Sequence, residues 1–502
     1  MISMRSLSWL AAVAAALCLI LMAARMASVF SFAGPLQVFT SGDEASSLFA
    51  VWKFVAGEPV YRSRFEIPYA AIMYNWFFYS AYGAITDAVL ALAGLDQAWL
   101  PTVARAVSVA FISVTGIAAW RLYVAALQPA DEDGRRLAGA FAVLLAAGPL
   151  IGFWSMTVRP DLGALMFETL AALAFVSLRR RSEWLPIVAV GVLCFLAWSC
   201  KQTSLFTLAT AGLFLLLRGR WAQAAALGAI AAGLAALALA VGGAEYRQTV
   251  MFNEYVFFFS FEQLVTVATN AAIKLAPALA GAAALVVALA LANGHGLAKT
   301  LYRDDVALFG VLGTGVTSAV VLPIASQTGS AENYFFPLAL YLIMAVLAGW
   351  RLVEQVDGRG KTIMRVAVTG GWVALAAAVA LVLVGRYGVI DLRYQHAAFM
   401  NIKACADTLP RPLYIDRSEL HLPWLTPGTE PFVLSYTYAR ERDAGARFAR
   451  GGIGGLVAEG HFAAIFLRGG PAEAVDGAPL DGYRRVTDNP VCAGRGIYLR
   501  RP

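Results

Sequence analysis

The residues able to do chemistry fall into four short polar runs, each set between long apolar ones. Ser41-Gly42-Asp43-Glu44 puts two adjacent carboxylates just after an apolar stretch at about 7–30. Arg159-Pro160-Asp161 sits where one apolar stretch ends and the next begins at once, and Lys201-Gln202 follows Trp198-Ser199-Cys200 in the same kind of position. Glu332-Asn333-Tyr334 opens a further apolar stretch. Charges at such places must face protein or a water-filled cavity, because hydrocarbon does not solvate them. A carboxylate can take the proton of an attacking hydroxyl, and Arg or Lys can hold a phosphate that leaves with negative charge. One base plus a basic clamp is therefore a complete catalytic set for a phosphate leaving group.

On this reading Asp43 is the base, and Arg159, Lys201 and Arg247 are candidates for holding a phosphate. Glu44 and Asp161 would position an acceptor or bind a divalent cation through oxygen ligands, although no spacing demands a metal. Tyr74, Asn75, Gln202, Glu332, Asn333 and Tyr334 would line the cavity. Each has a plainer reading. Arg159 and Asp161 can form a purely structural ion pair, Arg247 can be a surface Arg, and Glu332 can favour a helix N-terminus. The aromatic run Tyr74, Trp76, Phe77, Phe78 and Tyr79 reads more readily as an interfacial belt than as a sugar platform.

The elements that must position these residues are membrane spans. Of 502 residues, 60% are hydrophobic and only 14% charged, with a mean hydropathy of +0.67. A soluble domain is nearer half apolar and a quarter charged. Apolar runs of about 20 residues, the length needed to cross a bilayer, recur along most of the chain. The first, at about 7–30, is too long for the apolar core of a signal peptide and is expected to stay as a span. The net charge of +7 does not point to nucleic acid, since Lys and Arg collect in short loops as the positive-inside rule requires.

Parity decides the topology. The segment 68–95 is apolar but rich in Tyr, Trp and Phe. If it lies along the membrane surface, spans at about 7–30, 103–125, 137–156, 162–178, 184–200, 203–217, 222–242, 271–293, 305–324, 334–353 and 364–388 place all the basic loops on one side. Those loops carry Arg135-Arg136, Arg179-Arg180-Arg181, Arg218 with Arg220, Lys299 with Arg303, and Arg359-Gly360-Lys361, and Arg5 joins them. If 68–95 crossed, all five would flip against Arg5. We therefore expect about eleven spans, interfacial helices in the first external loop at 32–101, and a cytoplasmic N-terminus. The tail, 389–502, alternates short apolar runs with Gly, Pro and charged turns, and reads as a small external α/β domain beyond a membrane domain at 1–388. Cys18, Cys194 and Cys200 belong to apolar spans, while Cys405 and Cys492 bracket the tail and could pair in an oxidising compartment.

The residues also carry a family resemblance. Gly42-Asp43-Glu44, Ala56-Gly57-Glu58-Pro59-Val60-Tyr61, Pro68, Tyr74-Asn75-Trp76-Phe77-Phe78-Tyr79 and Ala104-Arg105 resemble the N-terminal third of GT-C membrane glycosyltransferases. The likeness is to the bacterial branch related to protein O-mannosyltransferases and lipid A aminoarabinose transferase. Thr157 to Leu165, Lys201-Gln202-Thr203, Arg247-Gln248 with Asn253, and Glu332 to Pro337 are similar to its later landmarks, so that the resemblance covers about 8–350. The proline-rich motif often found before the interfacial helix is reduced here to Pro68. The resemblance implies an all-α polytopic GT-C fold and inverting transfer of a sugar from a polyprenyl-phosphate donor. It makes Asp43 the catalytic base and Asp161 the acidic residue of the second external loop. The acceptor would be a lipid, glycan or protein hydroxyl at the outer face of the inner membrane, and membrane lipids would be the other partners.

Two rivals compete. A transporter or flippase would spread charges through the depth of several spans and break helices near the midplane, whereas here the span interiors are almost free of charge. An O-antigen ligase or polymerase would concentrate function in a large late loop, whereas the longest loop between spans is the first.

Overall fold

The computed structural model describes residues 3–502 except 31–33, 42–43, 180, 252–257, 292–294, 328, 357, 386–390, 417, 427–429, 435–437, 471 and 488. Asp43 and Asn253 thus lie outside the described residues. The helices follow in order: α1 (Met4–Val29), α2 (Glu44–Val55), α3 (Trp76–Ala93), α4 (Leu100–Leu127), α5 (Glu132–Ala147), α6 (Pro160–Leu178), α7 (Leu185–Cys200), α8 (Phe206–Leu217) and α9 (Trp221–Val241). They continue with α10 (Ala244–Met251), α11 (Phe261–Lys274), α12 (Ala276–Leu291), α13 (His295–Arg303), α14 (Asp305–Ala325), α15 (Phe336–Val356), α16 (Gly358–Gly385) and α17 (Asp391–Asp407).

Among the described residues eight helices, α1, α3, α4 with the short turn before it, α6, α9, α14, α15 and α16, are long and apolar enough to cross a membrane, the bent pair α11–α12 would make a ninth, and α7 and α8 are shorter apolar helices. One end of the bundle collects the start of α1 and the basic loops. There Ser8 donates to Asp133, which also pairs with Arg136. Asp305 accepts from Arg179 and Arg218, and Glu354 pairs with Arg365 and Lys361. The other end collects the first loop, the 157–161 turn, the 201–205 turn, Tyr246 and the start of α15. The core between the ends is a continuous apolar cluster in which Trp350, Trp372, Tyr123 and Tyr341 are buried.

Length alone misleads in both directions. The helix α3 is long and apolar enough to cross a membrane, yet both of its ends lie at the same end of the bundle. Asn75, its N-cap, donates to the carbonyl of Trp198 at the close of α7. Its C-cap Gly94, left-handed at φ 60°, is followed by a short 3-10 turn that leads straight into α4. In between, Tyr82 donates to Ser108 or accepts from it, near the Arg159 carbonyl. So α3 lies across the bundle end, as an interfacial helix does. Conversely α8, with 12 residues, covers only about 18 Å at 1.5 Å per residue, well short of the roughly 30 Å hydrocarbon thickness. The turn before it is sunk into the bundle. The apolar stretch at 271–293 is also shorter as a crossing helix than expected, because α11 meets α12 at 91°.

Beyond α17 the chain forms a small mixed sheet from β1 (Leu413–Ile415), β2 (Ala464–Leu467), β5 (Tyr483–Val486) and β6 (Gly496–Arg500), with a separate ribbon of β3 (Ala474–Val475) and β4 (Ala478–Pro479). The order is β1-β2-β6-β5, the first pair parallel and the others antiparallel. Cys405 and Cys492 are joined by a disulfide that ties α17 to this domain. The first loop is threaded into its core: Tyr69 packs among Phe432, Tyr438 and Phe448 and donates to the Ala449 carbonyl at 2.7 Å, while Arg64 pairs with Glu441. The domain therefore covers the bundle end that carries the polar turns.

Candidate functional site at the covered end of the bundle

The first loop is anchored by one buried ion pair. Glu44 opens α2 and Arg105 lies one turn into α4; both are fully buried. Arg105 donates from Nε to Glu44 Oε1 at 3.1 Å and from Nη2 to Oε2 at 2.9 Å, and its remaining donors reach the carbonyls of Leu36 and Val38, both at 2.7 Å. Glu44 also accepts from the backbone N–H of Val158 at 3.0 Å and of Thr40 at 2.8 Å. Two charges withdrawn from water are tolerated only when geometry and extra hydrogen bonds satisfy them this fully. The pair thereby fastens residues 36–44 to the 156–158 turn.

The 159–161 turn presents the second group. Pro160 occupies the first turn of α6, where its missing N–H is no loss, and it keeps Arg159 extended. Asp161, in the same turn, has its carboxylate turned into a cluster of cations. Lys201 Nζ donates to Asp161 Oδ1 at 2.6 Å, Asn333 Nδ2 donates to the same oxygen at 2.8 Å, and Arg159 Nε lies 3.7 Å from Oδ2. Lys201 stands 4.4 Å from the centre of the Tyr334 ring, and the Arg159 guanidinium packs on Tyr74 and Trp154. One carboxylate against two cations leaves this cluster with a formal charge of +1. Asp161 Oδ2 and Asn333 Oδ1 are buried with no hydrogen-bond donor among the described residues.

A third layer ties the turns to the first loop. Asn75 Oδ1 accepts from Tyr246 at 2.6 Å and caps α3 through the N–H of Trp76. Gln202 donates to the Met73 carbonyl at 2.7 Å, and Tyr61 donates to the Tyr74 carbonyl at 2.9 Å. Beside them opens an apolar cavity of about 520 Å³ lined by Tyr61, Trp76, Phe195, Leu237 and Tyr246, among others. Burial raises the Tyr246 hydroxyl to about 12, so it stays a neutral donor.

Several expected residues are engaged differently. Glu44 is saturated by Arg105 and backbone donors, so it holds the loop and is not free to meet an acceptor or a metal. Arg247 is exposed and donates to the carbonyls of Gly242 at 3.1 Å and Leu239, closing the end of α9. Glu332 pairs with Lys274 at 2.6 Å, while its neighbours Asn333 and Tyr334 join the cluster. The aromatic run is mostly core: Phe78 and Tyr79 are buried, Phe77 stacks edge-on to Phe167, and only Trp76 is exposed beside the apolar cavity. The two described carboxylates expected to hold a divalent cation are already paired, Asp161 with two cations and Glu44 with a third. Among the described residues no group of three or more His, Cys, Asp or Glu side chains converges.

Two contributors were not picked out from the sequence. Tyr246 lies beside the expected Arg247 and reaches Asn75 in its place. Glu168, buried two turns beyond Asp161 in α6, accepts from the N–H groups of Phe206 at 3.0 Å and Thr207 at 2.7 Å, and from the Thr207 hydroxyl. It caps α8, which has no side-chain cap of its own, and so pins the sunken turn that carries Lys201. A lone Glu inside an apolar span, opposite a helix start lacking a cap, is the signal that would have found it.

Together these features make a helical bundle with several helices long and apolar enough to cross a membrane, an interfacial helix across one end, and a small domain over the polar turns, which is the architecture expected of the GT-C fold. The structure is similar to the crystal structure of ArnT from Cupriavidus metallidurans bound to undecaprenyl phosphate, with a TM-score of 0.54 and 13% identity over 96% of this chain and 97% of that one. At that identity the likeness is one of fold. No protein-family profile and no curated sequence matches the chain.

Proposed function

We propose that this chain is an inverting glycosyltransferase that moves a sugar from a polyprenyl-phosphate donor to an acceptor at the periplasmic face of the inner membrane. The observation that carries the proposal is the Asp161–Lys201–Arg159–Asn333 cluster, a net-positive group at the covered bundle end; an apolar cavity at the same end is lined by Tyr61 and Tyr246, which bond to Tyr74 and Asn75, and Tyr74 in turn packs on Arg159. Charge and cavity together suit a phosphate whose lipid tail stays in the membrane. The neighbour of the same fold, whose structure holds undecaprenyl phosphate, supports that choice of ligand.

In this reading Asp43 removes the proton of the acceptor hydroxyl. The oxygen attacks the anomeric carbon from the side opposite the phosphate, the bond from that carbon to the phosphate oxygen breaks, and the electron pair leaves with the phosphate. Inversion follows from that approach. Lys201 and Arg159 would stabilise the departing charge, held in place by Asp161 and Asn333. Asp43 directly precedes Glu44, and the anchored Glu44 would limit the freedom of the base. Cys405 and Cys492 are bonded while Cys18, Cys194 and Cys200 are buried thiols. That distribution, with every basic loop at the opposite end, supports a periplasmic site and a cytoplasmic N-terminus.

The test is release of polyprenyl phosphate from a panel of radiolabelled polyprenyl-phosphate sugars by purified protein, with native lipid extract as acceptor. Wild type should release it, and Asp43→Asn should bind donor but not turn it over. Normal turnover by Asp43→Asn would remove the base assignment. If wild type handles no donor, the transporter reading is tested next, since the 91° break between α11 and α12 and the buried Glu168 are features it shares.

A further inference from the structure

The bundle holds a second cavity, of about 760 Å³, at the end remote from Asp161. Arg179, which caps α6 at its far end, is separated from Asp161 by roughly 27 Å of helix at about 1.5 Å per residue, close to the hydrocarbon thickness. The two sites thus face opposite membrane surfaces.

The walls of this cavity are rich in guanidinium. Arg179 and Arg218 both bind Asp305, at 3.0 Å and 2.9 Å, and Arg351 binds Asp304 at 2.6 Å while Asp304 also caps α14. Arg220 and Arg303 line the same cavity with no ion-pair partner among the described residues. Glu183 is the only other acid in the lining, and it is exposed. The lining itself carries three guanidiniums, Arg179, Arg220 and Arg303, against Asp304, Asp305 and Glu183; with Arg218 and Arg351, which pair with those two aspartates from outside the lining, the group has five guanidiniums against three carboxylates. The inner wall is apolar, from Ala125, Phe175, Val176 and Phe309. Trp184, Trp221 and Tyr302 stand exposed near the mouth, and such amphipathic rings mark the level of lipid headgroups.

We infer that this cavity binds the phosphodiester headgroup of an anionic phospholipid, with Arg220 and Arg303 as its ligands. Arg179 and Arg218 already have a carboxylate between them, so Arg220, whose side chain bonds only the neutral Gln223, and Arg303, neither with an ion-pair partner among the described residues, supply the attraction. The space is far larger than inorganic phosphate needs, and its apolar wall suits the glycerol and first acyl carbons. Basic pockets between spans are known to take such headgroups.

The test titrates delipidated full-length protein in non-ionic detergent with phosphatidylglycerol or phosphatidylcholine and counts bound lipid by native mass spectrometry. Wild type should prefer phosphatidylglycerol. Arg220→Gln/Arg303→Gln should weaken that binding by roughly 25-fold, about 5-fold for each charge near the headgroup. The charge-matched Arg447→Gln/Arg484→Gln, on exposed residues of the small domain, should leave it unchanged. Equal binding of the two lipids, or no change in the Arg220/Arg303 variant, overturns the inference. Displacement of the lipid by millimolar inorganic phosphate would also overturn it, by showing that the site takes a soluble anion. If the double variant does not fold, the preference of wild type between the two lipids still decides.

Discussion

Glu44 and Arg105 allow the sharpest test of what the first loop is for. Replacing Glu44 by Gln keeps the shape but leaves the Arg105 guanidinium buried without a counter-charge, its remaining acceptors being two carbonyls. It also turns an amide NH2 towards donors on Thr40, Val158 or Arg105. Breaking one side of a buried pair costs about 3–5 kcal/mol. Arg105→Met should cost about as much, because the carboxylate then keeps only backbone and hydroxyl donors. In Glu44→Gln/Arg105→Met both charges are gone. The double variant should therefore be more stable than the sum of the singles predicts, by about 2–3 kcal/mol. The assay is unfolding in mixed micelles of rising SDS content, followed by tryptophan fluorescence, for wild type, both singles and the double. Single variants costing less than about 1 kcal/mol, or costs that add within about 0.5 kcal/mol, would refute the account. A Glu44→Gln protein of full stability but no turnover would return Glu44 to the reacting groups.

The other predictions concern the phosphate cluster and the small domain. Lys201→Met should weaken binding of polyprenyl phosphate by roughly 10- to 150-fold, the range for one charge-assisted hydrogen bond, while Arg247→Gln should change it less than about two-fold; radiolabelled lipid binding reads both, and a larger effect at Arg247 would reverse the assignment. His421 is buried, with Nε2 2.9 Å from the N–H of Ile415, and burial lowers it from 6.5 to about 4. Between those values the unfolded chain binds a proton that the folded domain refuses, so its stability is full above pH 6.5 and falls by up to about 3 kcal/mol as pH drops to 4. Limited proteolysis of the small domain across that range should show the loss, and His421→Leu should flatten it; an unchanged profile in His421→Leu would assign the loss to other groups.

Much of the architecture was legible because a bilayer allows few solutions. Length, apolarity and the side preference of Lys and Arg are local or additive properties, and they were enough to read a helical bundle, an interfacial α3 and a separate tail domain. The same reasoning marked Asp161, Lys201, Asn333 and Tyr334, since charged or polar side chains beside spans must find one another or water. What it could not read was which partner each side chain takes. Glu44 and Asp161 are both acidic and both at the covered end, yet one is consumed by Arg105 and backbone donors while the other organises two cations. Arg247 reads as a phosphate ligand in the sequence, and in the structure its guanidinium donates to the carbonyls closing α9. Glu168 looked like nothing, and it holds the turn that carries Lys201. Hydropathy is set by the composition of each segment, so the sequence by itself determined which segments are apolar enough to span and which polar turns gather at one end of the bundle. Partnership depends on where helices far apart in the chain cross, to within a hydrogen-bond length, and only the tertiary structure decided that.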